Sequence, residues 1–226
     1  TTVNNTDKRA YSALANIVDS MVEGGSGYLA EHNVKFPKIQ AGGILEHKLT
    51  GGQVDSTNAM INSDWVPSES SLLLKGVDIA FDSLGNTADP DKIASPDNLK
   101  YSEKLRTLFI GEDSGNHLNN FLWAYNVDTK KLDRVLSAPA GAESTGLHAV
   151  DEVNGWTYIM SNFQHPGDEW YRFYKDNADG SRSGLSKDLV AQLDAAINTN
   201  YNNKFAAAVG YITADPIAPS IEKKAT

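Results

Sequence analysis

The 226 residues contain no cysteine. Disulfides, thiolate zinc sites and cysteine nucleophiles within the chain are thereby excluded. No apolar run approaches the roughly 18 residues of a membrane span. No stretch has the charged, apolar and small-residue order of a signal peptide. Basic residues are in the minority: 20 Lys and Arg stand against 29 Asp and Glu, a net charge of −9. Such a surface repels phosphate backbones, so nucleic-acid binding is not expected. Several catalytic motifs are missing, among them G-x-S-x-G, H-E-x-x-H and the phosphate-cradling P-loop. The run Asp176-Asn177-Ala178-Asp179-Gly180 opens like a calcium loop but lacks its spacing, and reads as a polar turn. The chain opens on Thr1 without an initiator methionine, and we expect a processed product or a fragment.

What is present describes a β protein. Hydrophobic residues make up 40% and charged residues 22%, which excludes a wholly disordered chain. Asp7 to Met21 is expected as a helix, because Ala10, Leu14, Ile17, Val18 and Met21 share a face at helical spacing. Thr6 caps it and Gly24, Gly25 and Gly27 stop it. A second helix is expected from Lys187 to about Thr199, capped by Ser186. Between them, short apolar runs alternate with turns: Gly43–Leu49, Gly76–Phe81, Arg106–Ile110, Asn120–Val127, Leu132–Leu136, Leu147–Val150 and Trp156–Met160. Two phrases repeat as strand, tight turn, strand, one over residues 98–110 and one over 148–160. That is how propeller blades read.

The expected fold is therefore mainly β, a partial propeller of blade-like sheets with one N-terminal and one C-terminal helix. Residues 1–226 form one domain: a helical segment over 1–30, blade-like strands over 40–168 and a helix over 185–200. A blade takes roughly 40–50 residues, and closed propellers have about 4 to 8 blades. The chain supplies about three, so a partner segment is expected to close the ring.

The stretch from Ser95 to Asp168 is richest in chemistry-bearing residues. Acids, amides and histidines flank its strands, at ends where neighbouring loops converge. Glu112 and Asp113 directly follow a strand, and adjacent side chains point to opposite faces. Either one faces a channel and ligates a metal while the other caps the turn, or both are exposed turn acids. Glu143 lies among Gly141, Ala142 and Gly146, small neighbours that let a ligand approach. His165, before Pro166-Gly167, is a metal ligand, a phosphate donor or a structural turn residue. Asn162 and Gln164 add neutral donors and acceptors. Arg106 and Arg134 pair with an anionic substrate or with ordinary surface acids.

The same stretch resembles the PhoX family of secreted bacterial alkaline phosphatases. The phrases that carry the likeness are Pro96-Asp97-Asn98-Leu99, Glu112-Asp113-Ser114-Gly115, Gly141-Ala142-Glu143-Ser144-Thr145-Gly146 and Asn162-Phe163-Gln164-His165-Pro166-Gly167. They span about a third of the chain. The resemblance implies a propeller of which residues 1–226 form the C-terminal part, completed by an N-terminal segment. It implies phosphate-monoester hydrolysis, with Ca2+ and Fe3+ held by carboxylates. Glu112 and Glu143, with Asp97 and Asp113, become the implied metal ligands. Asn162 and His165 become the implied catalytic groups. The cysteine that ligates iron in the family belongs to its N-terminal portion. A secreted or periplasmic location follows from the likeness. The alternative is a related propeller without catalysis, serving as a calcium-stabilised extracellular binding or structural protein.

Overall fold

Strand β6 (Thr107–Glu112) is buried along its whole length. Alternate side chains of a strand point to opposite faces, so one buried strand feeds two cores. Leu108 and Ile110 join Tyr11, Ile44, Trp123 and Tyr125 on one side, while Phe109 joins Leu122, Ala149 and Ile159 on the other. Each such apolar side chain contributes about 2 kcal/mol on burial. These two cores hold three sheets face to face.

The computed structural model describes residues 1–17, 36–202 and 206–214. Its first sheet pairs β1 (Thr2–Asn4), β2 (Arg9–Leu14), β3 (Gly43–Thr50) and β4 (Val66–Lys75), antiparallel and in that order. The second pairs β5 (Pro96–Ser102), β6, β7 (Phe121–Asn126) and β8 (Leu132–Ser137) in the same manner. The third begins with β9 (Glu143–Val153) and β10 (Trp156–Gln164). A small hairpin, β11 (Tyr174–Asp176) and β12 (Arg182–Gly184), and helix α1 (Lys187–Asn200) intervene. Strand β13 (Ala208–Ala214) then completes the third sheet in the order β13-β10-β9. The first strands of the sheets touch, β1 against β5 and β5 against β9. They form the inner edges of three blade-like sheets, and no closed ring forms among the described residues.

Helix α1 matches its expected bounds to within a residue. Ser186 Oγ accepts the Leu189 amide hydrogen at 3.1 Å, and Asp188 favours the positive end of the helix dipole. Leu189, Val190 and Leu193 pack on Leu118, Phe173 and Leu185.

Two elements differ from expectation. The N-terminal helix is absent over residues 7–17: Arg9–Leu14 is strand β2, entered through a turn at Lys8 with φ 50°. Residues 18–21 and the glycines after them lie outside the described residues. The helical spacing of Ala10 and Leu14 is outweighed by Tyr11 and Ala13, which pack against the second sheet while the backbone pairs with β3. Gly76–Phe81 is no strand either, and makes one isolated bridge, Asp78 to Ala88. The Asp78 carboxylate accepts the amide hydrogens of Gln40 and Ala41 at 2.9 and 2.8 Å, which turns the segment out of sheet pairing. Strands β1, β4, β11, β12 and β13 were not expected.

Arg106 ties the first two sheets together. Its Nη2 lies 2.6 Å from Asp7 Oδ2, in the turn before β2. Its Nε and Nη2 grip both oxygens of Asp128 at 3.0 and 2.8 Å, and Nη1 donates to Tyr101 Oη at 2.9 Å. These hydrogen bonds hold both carboxyls below the usual carboxylate range, Asp7 with further help from Asn4. A depressed carboxyl stabilises the fold above its ordinary titration range and loses that contribution as pH falls through the folded value. Arg106→Ala is therefore expected to lower the melting temperature at pH 7 by about 2–4 °C. It should also shrink the loss of stability between about pH 5 and pH 2. Parallel melting-temperature curves for variant and wild type across that range would show the clamp to be idle.

Candidate metal centre

Three acids meet where the inner strands begin. Asp97, Asp113 and Glu143 each offer a carboxylate oxygen, and these oxygens lie within 4.8 Å of one another. Local devices bring them together. Asp97 is the extra residue of a β-bulge, since Pro96 faces Glu112 while Asn98 faces Gly111. A bulge re-aims the side chain at its kink. The Asp113 amide donates to the Ser95 carbonyl at 3.1 Å, which folds the end of β6 back over the start of β5. Gly111 admits β9: a Cβ there would stand 2.9 Å from the Ser144 carbonyl oxygen. Glu143, one residue earlier, thus reaches its neighbours from the next sheet.

Glu143 is held from one side. Gln164 Nε2 donates to its Oε2 at 2.5 Å, and His165 Nε2 lies 3.2 Å from the same oxygen. Oε1 has no hydrogen-bond partner among the described residues. Asp97 Oδ2 accepts from Asn98 at 2.8 Å. Asp97 and Asp113 are exposed and Glu143 half-buried; partial desolvation by the surrounding protein pushes the Asp113 carboxyl up, and the adjacent charges of Glu143 and Asp97 push it further. A small cavity of about 30 Å³ opens beside it, lined in part by Asp113, Ser114, Gly115, Glu143, His165 and Asp168. That volume admits a water molecule. His165 sits at φ 41°, and its buried Nδ1 has no hydrogen-bond partner. The donor set is all oxygen with an adjacent imidazole, which suits a hard cation.

Two expected site residues lie elsewhere. Glu112 is fully buried and turned into the core. Its Oε1 accepts from the Ala94 amide at 2.8 Å and Trp123 Nε1 at 2.6 Å. Its Oε2 accepts from the Phe121 amide at 3.0 Å and stands 3.1 Å from His117 Nδ1. Four neighbours occupy the carboxylate, and it lies outside the group of acids that meet at the strand ends. Of the adjacent acids, Asp113 is the one that reaches the cluster. Asn162 donates Nδ2 to Thr145 Oγ1 at 2.5 Å. It packs on the bare backbone of Gly146, where a Cβ would collide with its Oδ1. It does not line the cavity.

Arg106 and Arg134 are engaged away from the cluster. Arg134 pairs with Asp91 at 3.0 Å and stacks over Phe121. The sequence reading ended its chemistry-bearing stretch at Asp168 but singled out neither Asp168 nor Glu169, and both stand at the cavity wall. Their signal was present, since both directly follow the Gln-His-Pro-Gly phrase. Arg172, bound to Glu169 at 2.5 Å, rests against Gly115.

No family model, curated protein or solved structure matches this chain.

Proposed function

We propose that residues 1–226 are part of a secreted or periplasmic metal-dependent phosphatase that resembles the PhoX family and hydrolyses phosphate monoesters. The observation that supports this reading is the meeting of Asp97, Asp113 and Glu143 at the inner strand ends, beside His165. These are residues of the very phrases that carry the resemblance. In this reading Asp97, Asp113 and Glu143 hold calcium and iron. When bound, the cations neutralise phosphate charge, polarise the phosphoryl group and activate an oxygen nucleophile. Gln164 and His165 hold the Glu143 carboxylate through its Oε2. The open cavity beside Asp113 admits one phosphoryl oxygen or water at a time. Further blades, from the N-terminal segment that the resemblance implies, complete the channel.

The test is elemental analysis of natively purified protein, paired with release of inorganic phosphate from p-nitrophenyl phosphate. Iron with calcium is expected, with phosphate release that Glu143→Gln reduces by at least 100-fold, about 2.7 kcal/mol of lost transition-state stabilisation. Residues 1–226 alone are expected to release none. Calcium without iron, and no phosphate release, would favour the second reading, a calcium-stabilised extracellular scaffold. The same acidic cluster supports that reading, since it needs only a hard cation.

A further inference from the structure

The first sheet carries a row of hydrogen-bonded side chains that the acidic cluster does not use. His47 of β3 is directly paired with Ala10 of β2 and Ser70 of β4. Its Nδ1 lies 2.7 Å from Ser70 Oγ, and its Nε2 lies 3.0 Å from Ser12 Oγ. Ser12 Oγ stands in turn 3.1 Å from Thr1 Oγ1. One imidazole thus joins hydroxyls across β2, β3 and β4. Ser70 is exposed, whereas His47 and Ser12 are half-buried. Ser70 Oγ has no other hydrogen-bond partner among the described residues.

Burial, and no neighbouring charge, pushes the His47 ring below the ordinary histidine range, toward the neutral form. A neutral imidazole keeps one nitrogen as an acceptor. Charged groups of the sheet are directed elsewhere. Arg9, Glu46, Lys48 and Glu69 alternate to the opposite face. Lys75 shares the face of His47 but pairs with Gly43, about 13 Å along the strand at roughly 3.3 Å per residue. Thr1, across Ser12 from the ring, carries an amino group.

We propose that Ser70 is an activated nucleophile that takes acyl groups from activated carboxylic esters, with His47 as its general base and Ser12 as a positioning residue. A serine hydroxyl is a weak nucleophile until an adjacent base, itself oriented by a third group, takes its proton. In the working tautomer Nε2 carries the ring hydrogen and donates it to Ser12 Oγ, and Ser12 donates to Thr1 Oγ1. Nδ1 then accepts the Ser70 hydrogen. Ser70 Oγ bonds to the ester carbonyl carbon as its proton passes to Nδ1. The bond to the alcohol oxygen breaks, and the alcohol leaves with that proton. Water, deprotonated by the same nitrogen, releases the acid and restores the serine. Strand β4 is the outer strand of its sheet. In an antiparallel pair each strand turns every second N–H toward its neighbour, so an outer strand turns the others outward. Ser70 or the residue beside it therefore offers a donor to the oxygen that gains charge. Because Ser70 is exposed, the substrates are small acyl groups on good leaving groups. The inference goes beyond the phosphatase reading and does not depend on it.

The test treats the purified protein with p-nitrophenyl acetate and locates acetyl groups by peptide mass. Acetyl on Ser70 is expected, with p-nitrophenolate released as it forms. Ser70→Ala, an exposed change, should remove that label and leave the circular dichroism spectrum unaltered. His47→Gln is expected to slow acetylation of Ser70 by about 100-fold or more, the usual weight of a general base. Ser12→Ala keeps the base and should slow it by about tenfold. In wild type the rate should fall in acid as the ring takes a proton, below the ordinary histidine range. In Ser12→Ala that fall should move further into acid, because the ring N–H has lost its acceptor. Acetyl on lysines with none on Ser70 would overturn the proposal. So would a Ser70 rate that neither His47→Gln nor Ser12→Ala changes.

Discussion

Replacing Glu112 by alanine is expected to destabilise the fold by about 3–5 kcal/mol, the cost of removing one partner from a buried polar network. That is a large share of the 5–15 kcal/mol that holds a typical domain. The carboxylate is fully buried and organises three elements at once. It receives hydrogen bonds from the amide before β5, from the amide at the start of β7 and from the Trp123 indole, and it contacts His117. Alanine strands three donors in a dry core, each at a cost of about 1–3 kcal/mol. Glu112→Gln keeps the volume but turns an amide NH2 toward donors, so it too should destabilise, by a smaller amount. Urea unfolding followed by tryptophan fluorescence measures both. A loss below about 1 kcal/mol for the alanine variant would show that water replaces the network, contrary to this account.

The second large effect concerns metal. The three carboxylates of the cluster repel one another, and the raised Asp113 carboxyl records that repulsion together with partial desolvation. A carboxyl raised in the folded state weakens the fold at neutral pH, and the penalty fades as pH falls. A bound cation removes the same penalty. Calcium at 100 times its dissociation constant is expected to add about 2.7 kcal/mol. For a chain of this size that is about 5–10 °C in melting temperature, reversed by chelator. Asp113→Asn should act in opposite directions on the two states. It raises the melting temperature without metal, because a repelling charge is gone, and it abolishes the calcium increment. Asp133→Asn on strand β8 should leave the increment intact. Equal increments in wild type and Asp113→Asn, read by differential scanning calorimetry, would place any bound calcium elsewhere.

The blades were readable where strands are buried on both faces or alternate cleanly. Leu108-Phe109-Ile110 and Phe121-Leu122-Trp123 are runs that only a covered sheet accommodates. Strand β4 was not readable, because Pro67-Ser68-Glu69-Ser70-Ser71 is exposed and polar, and its pairing comes from β3 rather than from its own pattern. The N-terminal segment was misread for a related reason. Six residues fit either period, and the decision lies with Tyr11 packing on a sheet far along the chain. Within the site, the acids at strand ends were legible as candidates. Their grouping was not, since it depends on a bulge at Asp97 and on the close approach that Gly111 permits between sheets. The choice between Glu112 and Asp113 turned on the four neighbours around one carboxylate, which come from residues 94 to 123.

The order of strands within the sheets also fixes an order of events during synthesis. The first sheet closes with residue 75 and the second with residue 137, each from neighbours in sequence. Pairing of this local kind forms quickly and can proceed as the chain leaves the ribosome. The third sheet is different. Its strands β9 and β10 make a hairpin, but β13 returns only after residues 165–207 have passed. Until then, the β10 edge that β13 will cover stays unpaired. This is the interval in which a nascent chain is most exposed to mispairing with another. The first strand of that sheet carries Glu143, so the acidic cluster cannot assemble until β9 has been made.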